Sequence, residues 1–493
     1  MGSEAVDQKP VKRQVTIVDY GMGNLRSVAQ AFESLYADVT VTGRPEEIAK
    51  AERLVLPGVG AFGEGMKNLQ RLGLVSALRE QVFQKRVPFL GICLGMQLLA
   101  EESQEHGHHQ GLGWIPAAVK PLSANGSGLK TLHIGWDAVT PTKPNALFAG
   151  MRRMPYFYFV HGYHLLCRDA DAVCATSTYG SPFVSAVHRE NIFGVQFHPE
   201  KSQEAGLGLL KNFLEWRPGA AFEPFAVEAE NPGAYTPKIR LIPTLLYQNG
   251  RLTKTVQFRP AEGIRWDVGH PVKAPMVYDA QLTDELIFLD IHATLEGRGV
   301  EQLAEAVSHL AGAIFMPLTA GGGIRTVEEI RRLLAAGADK VAINSAAVLN
   351  PSLIRQAAAI FGNQCVVVSI DAKRMPNGSY QVFTHSGTRP TQRDPAEWAR
   401  VAEAGGAGEI LLTSIDRDGT LQGYDLDLVR TVADAVKIPV IASGGAGKLQ
   451  DLVEVITQGH ACASAAASIF HFRDISPMKA KAFMKGAGLP VRD

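Results

Sequence analysis

Short apolar runs alternate with amphipathic stretches along almost the whole chain. From Gln14 to Trp216 the runs VTIVDY, RLVLPGVG and VPFLGICLG are separated by helical stretches, and FYFVHGYH and FGVQFHPE read as later strands. Strands alternating with helices predict an α/β layer domain. The next stretch, RPGAAFEPFAVEAENPGAYTPK (Arg217–Lys238), repeats Pro, Gly and Ala without a period and reads as a linker. From Ile239 to Asp493, about 255 residues, LIFLDI, KVAINS, VVVSID, EILLTSID, PVIASGG and ASAAASIF alternate with helical segments such as VEQLAEAVSHL. That length and alternation predict a (β/α)8 barrel. Residues 1–13 read as a loose tail.

The second half also repeats itself. MPLTAGGGI (Met316–Ile324) answers IPVIASGGAG (Ile438–Gly447), and DELIFLDI (Asp284–Ile291) answers GEILLTSI (Gly408–Ile415). Two half-barrels explain this. On the same register IPTLLYQNG (Ile242–Gly250) answers VVSIDAKRMPNG (Val367–Gly378), which sets Leu246 where the other half has Asp371.

Composition narrows the function. A chain of 493 residues is too long for one ordinary core, in keeping with two domains. Lys+Arg and Asp+Glu are equal at 49 each, so bulk charge recruits neither nucleic acid nor an anionic membrane, and any anion must be bound locally. The five cysteines are odd in number and form no CxxC pair, which argues against a disulfide framework or a zinc site and for a reducing compartment, with the cytoplasm as the default. No run is apolar over the roughly 18 residues of a membrane span, and the opening MGSEAVDQKPVKRQ lacks the apolar core of a signal peptide.

Gly91-Ile92-Cys93-Leu94-Gly95 follows a buried strand and is expected to open a helix through MQLLAEE, the form of a nucleophile elbow with Cys in place of Ser. A helix N-terminus favours the thiolate, and attack on an amide needs a base. His198 in GVQFHPE supplies one, and Glu200 two residues on orients it if the segment is extended. LPGVGAFG (Leu56–Gly63) offers a glycine-rich turn whose N–H groups suit an oxyanion. Its Gly58, Gly60 and Gly63 also spell GxGxxG, but the preceding proline and the absence of a βαβ setting with a ribose-binding acid argue against a dinucleotide site. In the second half, GGGI (Gly321–Ile324) and SGGAG (Ser443–Gly447) each follow a strand and precede a helix, where a barrel presents N–H groups to phosphate. The candidate phosphate-binding residues are Gly322, Gly323, Ser345, Asp418, Gly419, Gly444, Gly445 and Ser468.

DYGMGNLRS, LPGVGAFGEGM, GICLGMQLL, GLGWIP, HIGWD, YFVHGYH and FGVQFHPEKSQ together resemble the motifs of class I glutamine amidotransferases, a flavodoxin-like α/β fold, and among them the glutaminase part of the imidazole glycerol phosphate synthase family. The one departure noted there is Gly162, where that family usually has Ser. The resemblance implies nucleophile, base and acid at Cys93, His198 and Glu200, an oxyanion strand including Gly58, Val59 and Gly60, and a glutamine contact at Gln97. RLIP, DELIFLDI, GADKVAINSAAV, VVVSIDAKR and GEILLTSIDRDGT resemble the cyclase barrel of the same family. They imply a charged ring, Arg240, Glu285, Lys340 and Glu409, that gates ammonia. Cyclisation there uses two aspartates; Asp371 matches one, and Leu246 stands at the other. Loss of one member of such an acid/base pair costs about 10²–10⁴ in rate. Two readings follow: an active synthase making imidazole glycerol phosphate and AICAR in histidine biosynthesis, or a divergent relative whose barrel passes ammonia to a separate amidotransferase, as in acetamidino-sugar assembly. A non-catalytic scaffold is disfavoured by the intact triad. The expected ligands are L-glutamine and a phosphorylated small molecule in the barrel, with no cofactor, metal, nucleic acid or membrane.

Overall fold

A computed structural model describes residues 12–122, 129–151, 154–222, 235–260 and 268–492. Most of the expected tail and the middle of the expected linker therefore lie outside the described residues. Five parallel strands lie side by side in the first half, in the order Asp38–Thr42, Gln14–Val18, Leu54–Gly58, Phe89–Cys93, Ile192–Val195, and Ser181–Arg189 extends them antiparallel. Alternate residues feed two cores. Val55 and Leu90 pack with Phe32 and Phe213 on one face, while Leu54, Leu56 and Phe89 pack with Phe62 and Leu69 on the other. Burial on both faces explains why these strands read as continuous apolar runs. It also sets the ends of Leu54–Gly58 and Phe89–Cys93 next to each other, Gly58 beside Cys93.

Two local expectations are corrected. The helix after Cys93 spans only Leu94–Gln97. The carbonyls that would continue it, on Leu98, Leu99, Ala100 and Glu101, accept instead from the backbone N–H groups of Gly111–Ile115, and Glu102–Ser103 turns into a short strand. The strand expected to run through FHPE stops at Val195, and Pro199, well suited to begin a helical turn, starts a 3₁₀ turn over Pro199–Lys201.

In the second half eight parallel strands, Arg240–Gln248, Leu286–Asp290, Leu318–Gly321, Lys340–Ile343, Val366–Arg374, Glu409–Ser414, Val440–Ser443 and Ala463–Ala466, pair in sequence and close on themselves. This is a (β/α)8 barrel. Ile242, Ile287, Ala342, Val367, Leu411 and Ile441 fill its interior, while the alternate residues face the surrounding helices. The half-barrel register holds: Arg240–Gln248 and Val366–Arg374 are each followed by an antiparallel hairpin strand, and Leu246 and Asp371 occupy equivalent places in them. No helix among the described residues is long and apolar enough to cross a membrane.

The barrel's N-terminal mouth packs on the first half. Trp136 Nε1 donates to the Asp284 carbonyl (3.0 Å), and the Arg492 guanidinium lies 3.6 Å from the Trp136 ring centroid. Lys201, buried two residues past His198's proline, pairs with Asp339 at 2.8 Å.

Candidate active sites

Cys93 has φ +52°, in the left-handed region that a β-substituted residue rarely occupies. Its flanking glycines are forced by packing: a Cβ on Gly95 would collide with the Leu56 carbonyl, and one on Gly91 would lie 2.6 Å from the Gly95 oxygen. The strained corner is thereby fixed from both sides, and it holds the thiol at the end of the central strand. His198 Nδ1 lies 2.7 Å from Glu200 Oε1, although the segment is not extended; the 3₁₀ turn brings the two together instead. Both side chains are buried. Burial alone would lower the His198 pKa, but Glu200 and Cys93 outweigh it and raise it well above the ordinary imidazole range. With Nδ1 held by Glu200, His198 Nε2 is the nitrogen left for the Cys93 thiol or a substrate.

Gly60 has φ +134°, and a Cβ on Gly58 would strike the Tyr20 hydroxyl, so the turn beside Cys93 requires glycine at both places. Gln97 Nε2 donates to the Tyr163 carbonyl (3.0 Å) and to Gln196 Oε1 (3.1 Å), and Gln196 Nε2 donates to Cys93 Sγ (3.6 Å). Gln196 was not among the sequence candidates. Its place one residue past the strand that neighbours the Cys93 strand was the available signal. Glu105 is likewise new: buried and raised in pKa chiefly by that burial, it accepts from Phe62 N (2.6 Å) at the start of the helix after the glycine turn.

The four charged residues expected at the barrel mouth close into a ring. Arg240 donates to Glu285 (2.7 Å) and Glu409 (2.6 Å), and Lys340 donates to the same two carboxylates (2.6 and 2.5 Å). All four are buried. Burial would raise Glu285, but Arg240 and Lys340 override it and bring its pKa down to about 2.

At the other end of the barrel one cavity takes Gly322, Ser345, Asp371 and Asp418 from the expected set, together with Leu246, Leu289 and Asn344. Asn344 Nδ2 donates to Asp371 Oδ2 (2.6 Å). Ser345 Oγ is already engaged by His385 N (3.0 Å). Gly322, Gly323, Gly419, Gly444 and Gly445 all have positive φ, so their turns require glycine whatever they bind. Ser468 is buried at the start of a helix following the last strand. No cluster of three His, Cys, Asp or Glu side chains among the described residues is placed to hold a metal ion.

Burial pushes Asp371 up to about 7, Asn344 opposing and Asp418 adding to the shift. The folded state therefore holds this proton where the unfolded chain has lost it, and stability falls as pH rises from about 4 to about 7. Asp371→Asn removes that dependence. Thermal denaturation is expected to show the variant gaining on the parent between pH 5 and pH 8, and an unchanged difference would refute this.

A triad beside a glycine turn, abutting the charged mouth of a barrel, defines a class I glutamine amidotransferase joined to its acceptor barrel. The class-I glutamine amidotransferase family matches residues 16–216, and a family described as histidine biosynthesis protein matches residues 240–476. The chain is 34% identical to the imidazole glycerol phosphate synthase hisHF, chloroplastic, of Arabidopsis thaliana, across 97% of this chain and 89% of that protein. It belongs to the imidazole glycerol phosphate synthase family, as an enzyme in which both parts share one polypeptide.

Proposed function

We propose that Cys93 attacks the side-chain amide of glutamine, with His198 as base and then acid and Glu200 holding His198 in place. The Sγ–C bond forms, His198 gives its proton to the departing nitrogen, and ammonia leaves a thioester that water converts to glutamate. N–H groups of the Gly58–Val59–Gly60 turn receive the oxyanion, and Gln97 contacts the substrate. Residues 14–216 form this glutaminase, 217–238 the connection and 239–493 the barrel. The observation that carries the reading is Tyr158. Its carbonyl accepts from His198 N (2.9 Å), and its hydroxyl donates to Glu285 of the ring (3.3 Å), so one residue links the base to the gate.

Ammonia then enters through Arg240, Glu285, Lys340 and Glu409 when the ring opens. From ring to Leu246 is six residues of strand, about 20 Å, through an interior of mostly aliphatic side chains that resists ammonium, with the buried Thr244 and Thr319 hydroxyls among them to meet neutral ammonia. Phosphate groups of a small-molecule ligand fit the turns at Gly322–Gly323 and Gly444–Gly445, with Ser345, Asp418, Gly419 and Ser468 beside them.

Ring closure is where this barrel departs. Leu246 faces the cavity across from Asp371 and transfers no proton. The other acids there are engaged: Asp290 by Arg298 (2.8 and 3.1 Å), Asp418 by Thr255 (2.7 Å) and Phe258 N (3.3 Å). We therefore favour a barrel that hands ammonia to a separate amidotransferase, of the kind that builds acetamidino sugars. The retained Asp371 supports the other reading, synthesis of imidazole glycerol phosphate and AICAR. Incubating the purified chain with ammonia and phosphoribulosyl-formimino-AICAR-phosphate separates them. No ring closure is expected, with a gain of about 10²-fold or more over background in Leu246→Asp; rapid turnover by the parent chain would establish the synthase.

A further inference from the structure

We propose that Tyr235, in the stretch read as linker, and the buried residues Asp137, His133 and His161 are positioning residues for the Cys93 thiol, acting through one continuous chain of hydrogen bonds. This rests on the reading of Cys93 as nucleophile. The Tyr235 hydroxyl donates to Asp137 Oδ2 (2.7 Å), which lies 2.5 Å from His133 Nε2. His133 Nδ1 is 3.0 Å from His161 Nε2, and His161 Nδ1 is 2.8 Å from the Tyr163 carbonyl oxygen. That oxygen also accepts from Gln97, which donates to Gln196, which donates to Cys93 Sγ. The chain thus runs unbroken from the linker to the sulfur.

The direction of donation follows outward from the Tyr163 carbonyl. A carbonyl only accepts, so His161 carries a proton on Nδ1. Burial, with His133 as a second cause, holds His161 well below the ordinary imidazole range, so it is neutral and its Nε2 is bare. His133 must then donate from Nδ1. At the outer end His133 Nε2 and the Tyr235 hydroxyl both meet Asp137 Oδ2, and Tyr235 is a donor to it. At the far end the Tyr163 oxygen takes the nitrogen of the Gln97 amide. This turns Gln196 Oε1 toward Gln97 and leaves its N–H for the sulfur. The other tautomer of His161 would set a lone pair against the Tyr163 oxygen, displace it and free both amides to rotate. A donor at sulfur holds the attacking atom in one place.

His133 stacks on Phe159 and Tyr179 with ring centroids 4.8 and 4.5 Å away, so His133→Phe keeps its shape and removes its protons. Tyr235→Phe removes only the hydroxyl. In the full chain, Tyr235→Phe is expected to lower kcat for glutamate release about three- to tenfold, the effect of one hydrogen bond, with KM within twofold. Labelling of Cys93 by 6-diazo-5-oxo-L-norleucine, followed on its peptide by mass spectrometry, should slow in parallel. His133→Phe should slow both more, and adding Tyr235→Phe to it should do nothing further. His161→Asn, whose amide N–H replaces Nδ1–H, should keep activity that His161→Leu loses, which serves if His133→Phe does not fold. Unchanged rates, or Tyr235→Phe and His133→Phe effects that multiply, would overturn the chain. Loss of hydrolysis in Cys93→Ala beside full rates in these variants rejects the chain alone; hydrolysis that survives Cys93→Ala rejects the nucleophile reading itself.

Discussion

Cys93→Ala is expected to lower glutamate release from glutamine by about 10⁴-fold or more, because members of a triad act as a unit and the nucleophile is its indispensable part. The fold should be untouched. Alanine meets the same backbone corner as cysteine, and the hydrogen bond from Gln196 to the thiol is a weak one. The variant's melting point should therefore lie within a few degrees of the parent's. Substrate should still bind, since the glycine turn and Gln97 remain. Glutamate release at near-parent rates would remove Cys93 from the mechanism, whereas lost release with a collapsed melting point would mean that the residue acts through stability.

The second large effect concerns stability. Arg240→Ala leaves Glu285 and Glu409 buried with Lys340 as the remaining cation of the ring. Breaking a buried pair from one side costs about 3–5 kcal/mol, because a desolvated charge is left behind. At about 2–4 °C per kcal/mol for a domain of this size, the barrel's melting point should fall by roughly 6–20 °C. Replacing all four ring residues by apolar side chains of similar volume should cost far less, since no charge then remains to be solvated. A single variant as stable as the parent would show that the ring is wet rather than dry. The pH dependence has a definite sign: Glu285 is held down to about 2 in the folded chain. Its contribution is complete above the ordinary glutamate range near 4.3 and is lost as pH falls through about 2.

What the sequence made legible were features carried by single segments. The apolar runs located the central strands of both halves, and the internal repeat placed Leu246 opposite Asp371 in equivalent strands. The residue types of the proposed triad were readable because glycines confine Cys93 and Glu200 follows His198 so closely. What stayed hidden depended on partners far apart in the chain. The helix after Cys93 was cut short by a segment that captured its carbonyls, which no local propensity reveals. Gln196, Tyr158 and Asn344 gained meaning only when folding set them against Cys93, Glu285 and Asp371. The charged ring was expected from family likeness; its four-way closure and dryness were visible only in three dimensions.

That ring draws Arg240, Lys340 and Glu409 from the first, fourth and sixth strands of the barrel and Glu285 from the residue just before the second. It cannot assemble until most of the barrel has been made and has curled shut. A half-wound barrel carries naked charges on its floor, keeps its water there, and offers poor company to Trp136 and Tyr158. The face that meets Trp136 and Tyr158 is thus complete only when strands far apart in the chain have come together.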